Sequence, residues 1–350
     1  LGKLAHPFFA FIDLQKEVLM LVLSRHDVEH LLTMSDTLTA VEEGFRQLAQ
    51  GNVVMPQRAA TQIAPHNGLH LSMPAFVGGE ISALTIKIVT VYGDNPAHYG
   101  LPTVQGVLLV HDAKTGQVVA MMDAEHLTAM RTGAASGVAT KYLARPEAET
   151  VVLFGAGALG PGQLAAVCAV RPIRRAYVIT RSGEKDADFC QQMANMLGIE
   201  VHATRGGLLG AQHALTEADI ICTATNSSTP LFPGDWVQPG THINAVGAYT
   251  RTMRELDTAL IQRSRVFVDH RPAAGAEAGD ILIPIAEGAF SQEQIAGALG
   301  EVVNGDVIGR TNNDEITVFK SVGLAMQDAV TAARLYAKAV ERGIGAQVHL

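Results

Sequence analysis

The 350-residue chain is poor in cysteine, in aromatic residues and in basic charge. Its three cysteines, Cys168, Cys190 and Cys222, are an odd number and form no CxxC pair. That excludes a disulfide framework and a zinc site of the CxxC type, and leaves buried reduced thiols of a cytoplasmic protein as the expectation. Aromatic residues make up only 5% of the chain, too few for base-stacking platforms. With 26 Lys+Arg against 34 Asp+Glu, the net charge is −8, which weighs against a nucleic-acid-binding surface. The apolar run near the start, Val18 to Leu23, is far short of the ~18 residues that would span a bilayer. The histidines from His66 to His270 show no HxH or HExxH spacing, so no metal is expected. Asp13, Lys16 and Glu17 interrupt the first residues and no A-x-A site follows, so this is not a signal peptide. Met20 opens MLVLSRHDV like a natural start; residues 1–23 are therefore read as a non-native or disordered leader.

What is present is a core. The hydrophobic fraction is 48% and the charged fraction 17%, and the length predicts two domains. Glycine, 34 residues, is above the usual ~7% of a chain, so many backbone positions need tight turns or close approach. After Ser35-Asp36, residues Leu38, Val41, Phe45 and Leu48 recur at helical spacing and Gly51 follows as a stop. From Val53 to Met122 short β-rich runs alternate with Gly, Pro, Asn and Asp, with a hairpin at Lys114-Thr115-Gly116. Asp123 caps a small-residue helix, AEHLTAMRTGAASGVATKYLA. Beyond Glu149, strands and helices alternate every ~20–30 residues, the pattern of a doubly wound parallel sheet. A last helix is expected through FKSVGLAMQDAVTAARLYAKAVERG. The fold class is thus α/β: a Rossmann-type domain over residues 146–309 and a second α/β domain over 24–145 with 310–350.

Gly155-Ala156-Gly157-Ala158-Leu159-Gly160 reads GxGxxG, directly after the apolar run VVLF and opening a helix. In that setting the first glycine permits the turn, the second admits a pyrophosphate and the third packs helix on strand. The helix start supplies free N–H groups for phosphate. An NAD-binding chain usually carries Asp or Glu at the end of the second strand. Here the run is Tyr177-Val178-Ile179-Thr180-Arg181-Ser182, offering a cation and hydroxyls. Arg can pair with a 2′-phosphate, so NADP(H) is the expected cofactor, with NAD(H) as the alternative. Three cations lie in unusual settings: Arg58 in VVMPQRAAT, Lys87 inside the apolar run LTIKIVTVY, and Arg131 among small residues. Together, opposite a nucleotide domain, they would suit a carboxylate substrate. Separately, Lys87 would be the polar face of a half-exposed strand and Arg131 the partner of a carboxylate.

The segments VVMPQR, MPAF, ALTIKIVT, LPTVQGVLLVHDAKTG, AMMDAEHLTAMRTGAASGVAT, GAGALG, ADIICTAT, INAVGAYTRTMRELD and ITVFKSVG-A-QDAVTA carry a resemblance. Over Leu31 to Lys338 the chain resembles the ornithine cyclodeaminase/mu-crystallin superfamily, most of all its bacterial cyclic ketimine reductase branch. The resemblance implies a Rossmann domain beside an α/β domain that forms a homodimer interface, with a nicotinamide cofactor in the cleft. It implies that Arg58, Lys87 and Arg131 hold the substrate carboxylate, and that Thr103 and Thr132 approach the cofactor. Thr180, Arg181 and Ser182 would form the adenosine phosphate loop. Thr223, Ala224, Thr225 and Asn226 would line the cofactor edge, and Val246, Gly247 and Val322 would flank the nicotinamide. Two positions depart from the family pattern. Leu159 stands where many members have Gln, and Tyr249 stands where ornithine cyclodeaminases carry an acid/base Asp. A tyrosine with a pKa of about 10 is a poor base at neutral pH, so deamination is disfavoured. The expected activity is NADPH-dependent reduction of Δ1-pyrroline-2-carboxylate to L-proline, and of Δ1-piperideine-2-carboxylate to L-pipecolate. The alternatives are ornithine cyclodeaminase, alanine dehydrogenase, or a ligand-binding protein like mu-crystallin.

Overall fold

The computed structural model describes residues 19–181, 186–204 and 207–349. Two eight-stranded sheets organise them. The first is built from β1 (Leu19–Leu23), β2 (Val53–Val54), β3 (Ala59–Ile63), β4 (Gly68–Val77), β5 (Ala83–Tyr92), β6 (Val104–Asp112) and β7 (Val118–Asp123). The second comprises β8 (Thr150–Phe154), β9 (Arg175–Ile179), β10 (Glu200–Ala203), β11 (Ile220–Thr223), β12 (His242–Ala245), β13 (Arg265–Val268), β14 (Gly297–Ala298) and β15 (Thr317–Lys320). The closing strand β16 (Ala346–His349) returns to the first sheet.

The first sheet runs β16-β1-β7-β6-β5-β4-β2, with β3 also paired to β4; only β1 and β7 run parallel. Strict alternation along β4 and β5 turns Met73, Ala75 and Val77 inward beside Ala83, Thr85 and Lys87. Helices Met34–Ala49, Glu125–Leu143 and Ala325–Arg342 cover that inner face. The second sheet is wholly parallel, in the order β10-β9-β8-β11-β12-β15-β13-β14. Its central strands β8, β11, β12, β13 and β15 are buried on both faces, as a doubly wound sheet requires, while the edge strand β10 is part-exposed. The Rossmann-type class expected from the sequence is therefore present.

Three expectations need correction. The sequence places residues 19–23 in a leader, yet LMLVL is a strand: Leu21–Leu23 pair with Ala120–Met122 and Leu19–Val22 with β16. The sequence also places residues 310–350 wholly in the first domain and starts the last helix at Phe319. Instead Thr-Val-Phe-Lys, β-branched and aromatic, slots as β15 between β12 and β13 of the second sheet. Gly323, at φ +80°, then breaks the chain before helix Ala325–Arg342 returns to the first sheet. The helix expected after Ser35-Asp36 begins at Met34, because Thr33 rather than Ser35 accepts the capping bond from Asp36.

The small residues of TGAASG explain how the halves meet. Helix Glu125–Leu143 crosses helix Gly160–Val170 at backbone contact. A Cβ on Gly133 would lie 2.2 Å from the Gly162 carbonyl oxygen, and one on Gly162 would lie 2.7 Å from that of Ala129. This crossing sets the helix bearing Arg131 directly against the helix that opens at the glycine motif. Gly133→Val is expected to destabilise the fold by about 1–3 kcal/mol through overpacking, read as a lower urea midpoint at unchanged m-value.

Candidate active site

The nucleotide side is set at the carboxyl ends of β8, β11 and β12, where doubly wound sheets bind ligands. Gly155 adopts φ +102°, and its N–H donates to the Ile179 carbonyl at 3.0 Å. A Cβ there would sit 2.7 Å from the Ala224 oxygen. At Gly157 a Cβ would meet no atom within 4 Å, so open space adjoins the loop where a pyrophosphate would lie. At Gly160 it would meet the Gly155 oxygen at 2.9 Å and the Phe189 ring at 3.2 Å, the tight side of the turn. Ala156 and Leu159 are part-exposed and Ala158 exposed on the same loop. The glycine cradle thus fits a dinucleotide.

One buried carboxylate binds the neighbouring loops together. Glu255 accepts from Thr223 Oγ1 at 2.8 Å, Thr225 N at 2.7 Å, Thr225 Oγ1 at 2.8 Å, Gly247 N at 2.8 Å and Ala248 N at 3.2 Å. Burial pushes its pKa up, and the Lys320 ammonium opposes that shift. Asp280, paired with the wholly buried Lys320 at 2.9 Å, in turn accepts the Glu255 and Leu256 N–H groups. Val246 and Gly247 pack beside this clamp, whereas Asn226 is exposed.

The cationic side is assembled around helix Ala325–Arg342. Lys87 is not on a half-exposed face: it is buried, with Met73 and Leu108 opposite it on the two adjoining strands. Its Nζ lies 2.8 Å from Asp328 Oδ2, 3.0 Å from Oδ1 and 3.4 Å from Thr128 Oγ1. Burial first, and the Arg131 charge second, lower its pKa to about 8, with Asp328 working against both. Arg131 is also buried and donates to the same Asp328 through Nε at 2.9 Å and to Gln327 through Nη1 at 2.7 Å. Thr132, on the next position of the helix, donates to the Thr128 carbonyl.

Arg58 comes from the loop between β2 and β3. Its Nη2 donates to Glu277 Oε2 at 2.6 Å, to the Val322 carbonyl at 2.9 Å and to that of Gly323 at 3.2 Å. Asp269 fixes that passage, accepting from Ser321 Oγ, Val322 N and Gly323 N at 2.8, 2.8 and 3.0 Å. Arg131 flanks the same Gly323, for a Cβ there would lie 2.7 Å from its Nη1. Arg58, Met55, Met73, His270, Glu277 and Gly323 line a cleft between the two sheets; Lys87 and Arg131 are buried and do not line it. The half-buried Tyr249 feels the Arg58 charge, but burial dominates and raises its phenol pKa, so it stays protonated.

The structure thus brings Arg58, Lys87 and Arg131 to one region, and sets Gly155, Gly157, Gly160, Thr223, Ala224, Thr225 and Gly247 about the strand ends. Thr103 lies in the β5–β6 loop, where its described hydrogen bond is the backbone one accepted from Tyr92 N. Arg181 is exposed; Ser182 lies outside the described residues. Thr180 Oγ1 donates to the buried Asp186 at 2.6 Å. Sequence reasoning missed Asp328, Gln327, Glu277, Glu255, Asp269 and Asp186. Asp328 and Glu255 stood inside quoted motifs, but nothing local marked them as partners of distant groups. Among the described residues, no group of three or more His, Cys, Asp or Glu is arranged to hold a metal, and no helix is long and apolar enough to cross a membrane.

A wholly parallel sheet ending in a glycine cradle, with a cleft lined by Arg58 between the two sheets, defines a dinucleotide-binding α/β protein. The sequence pattern of the ornithine cyclodeaminase/mu-crystallin family matches residues 18–343, and the chain belongs to that family. It is 38% identical over 330 residues to a Δ1-pyrroline-2-carboxylate reductase of Bacillus cereus, covering 94% of this chain and 99% of that one. Thermococcus litoralis Δ1-pyrroline-2-carboxylate reductase, solved with NADH and L-proline, superposes with a TM-score of 0.90 at 42% identity, covering 94% and 100% of the two chains. An archaeal alanine dehydrogenase dimer with bound NAD gives 0.87 at 32% identity, covering 95% and 99%.

Removing the shared carboxylate by Asp328→Ala leaves two buried cations unpaired. The expected loss is about 3–5 kcal/mol of unfolding free energy, measured by urea denaturation at neutral pH.

Proposed function

We propose that the protein is an NADPH-using reductase of cyclic ketimine acids, converting Δ1-pyrroline-2-carboxylate to L-proline and Δ1-piperideine-2-carboxylate to L-pipecolate. The observation that carries this reading is the placement of Arg58 in the cleft wall against Val322 and Gly323, with Lys87 and Arg131 behind it. That cluster suits a carboxylate held at the carboxyl end of the parallel sheet. The kinship with Δ1-pyrroline-2-carboxylate reductases, one of them bound to NADH and L-proline, supports it.

When bound, the dinucleotide supplies the hydride. Arg58 grips the substrate carboxylate and orients the ring, so that proximity provides much of the acceleration. The C=N carbon takes up the hydride, the double-bond pair passes to nitrogen, and nitrogen keeps the proton it carries as iminium. That proton comes from an ordered water, or from Lys87, its pKa depressed to about 8, passing it through such a water from behind the cleft wall. The protonated Tyr249 offers no base for deamination. The adenosine end favours NADP(H) over NAD(H): Arg181 is exposed there to meet a 2′-phosphate, and the Asp186 carboxylate is taken by Thr180. The buried thiols of Cys190 and Cys222 and the family kinship fit a cytoplasmic homodimer.

The test is a panel following NADPH and NADH oxidation with the five- and six-membered cyclic imines, with pyruvate plus ammonia, and with ornithine as a deamination control. Turnover is expected with the imines, and ammonia release from ornithine would overturn the assignment. Lys87 is charged below a pH of about 8 and loses its proton above it, so kcat/KM should fall with rising pH beyond that point. Lys87→Met should abolish that limb and lower kcat/KM by roughly 100-fold or more, while NADPH affinity stays nearly intact. Arg181→Ala should raise the KM for NADPH by about tenfold and leave that for NADH unchanged.

A further inference from the structure

We infer that Glu277 is a specificity-determining residue, its carboxylate beside Arg58 selecting ligands that carry a cationic ring nitrogen next to their carboxylate. The inference rests on the reading of Arg58 as the carboxylate clamp.

Glu277 ends helix Arg271–Glu277 of the nucleotide half and reaches across to Arg58 from the other half, Oε2 to Nη2 at 2.6 Å. Both side chains line the cleft and are mostly desolvated, at 17% and 15% exposure. Such a pair would ordinarily be read as orienting the arginine. Here the Val322 and Gly323 carbonyls already hold the same Nη2, and Asp269 pins those two residues. The guanidinium is therefore fixed without Glu277, and Glu277 Oε1 makes no other described hydrogen bond.

The charges of the cluster point the same way. Arg58, Lys87 and Arg131 set three positive charges against the two negative ones of Asp328 and Glu277. A bare cluster of cations would favour any small anion, including open-chain keto acids. An arginine and a carboxylate side by side present opposite charges at hydrogen-bond separation. A cyclic imino or amino acid carries the complementary arrangement, a carboxylate on the carbon that bears the charged nitrogen. Docked against the pair, its carboxylate meets Arg58 and its N–H meets Glu277. A carboxylate without that cation would meet repulsion from Glu277.

The experiment compares two ring carboxylates on the NADP+-loaded enzyme: L-proline, with a charged nitrogen, and pyrrole-2-carboxylate, with an uncharged one. In Glu277→Gln, L-proline is expected to bind at least about tenfold more weakly, while pyrrole-2-carboxylate binds equally or more tightly. Glu277→Asp should restore most of the discrimination, and Arg58→Ala should weaken both ligands. Equal weakening of both ligands in Glu277→Gln would overturn the proposal, reducing Glu277 to a support for Arg58. An unchanged ratio would overturn it as well. If Arg58→Ala leaves both ligands bound, the clamp reading itself fails, and the selectivity argument with it.

Discussion

The site depends on one carboxylate. Asp328 accepts from both Lys87 and Arg131 inside an apolar layer, in which Lys87 stands between Met73 and Leu108. Taking an ammonium out of water costs several kcal/mol, and a lone lysine there would give up its proton. Asp328 opposes that loss at Lys87 and pairs with Arg131 as well, and its position helps: it lies in the first turn of helix Ala325–Arg342, where the helix dipole favours negative charge. The pairing also explains why only Arg58 reaches the cleft. The buried pair of cations adds to the positive charge of the region, and the more exposed Arg58 lines the cleft.

A second lysine–aspartate pair mirrors the first on the nucleotide side. Lys320 ends β15, Asp280 lies in the first turn of helix Gly279–Ala286, and neither is reached by solvent. Asp280 holds the backbone of Glu255, whose side chain ties the loop after β11 to the turn after β12. The two pairs are joined through the stretch from Lys320 to Asp328, which leaves one sheet and enters the other past Gly323. The loops at the strand ends and the cluster of Arg58, Lys87 and Arg131 are thereby built on a single passage of chain.

Much of this was legible beforehand for identifiable reasons. The glycine motif announced itself because backbone geometry demands glycine at Gly155, where φ is +102°. Lys87 and Arg131 stood out because charges amid apolar or small residues need an explanation. Their partner was not legible: Lys87 and Asp328 are 241 positions apart, and helical periodicity does not say what faces a helix. Glu277 was missed for the same reason, since it meets Arg58, 219 positions away, only through tertiary packing; Asp186 is a local partner, six positions from Thr180. The limits of the first domain were misread because a short apolar strand such as LMLVL resembles a leader until its neighbours are known. Similarly, TVFK was absorbed into the helix that follows it.

The turn that carries Tyr249 is tied down through its main chain, while the Tyr249 ring packs against the core of the second sheet. Glu255 takes the N–H groups of Gly247 and Ala248, and a Cβ on Gly279 would lie 2.8 and 2.0 Å from the Thr250 and Met253 carbonyl oxygens. Neither restraint involves the Tyr249 side chain. The path of the turn is therefore fixed separately from the residue displayed on it, whose ring adds only its packing against the core of the second sheet.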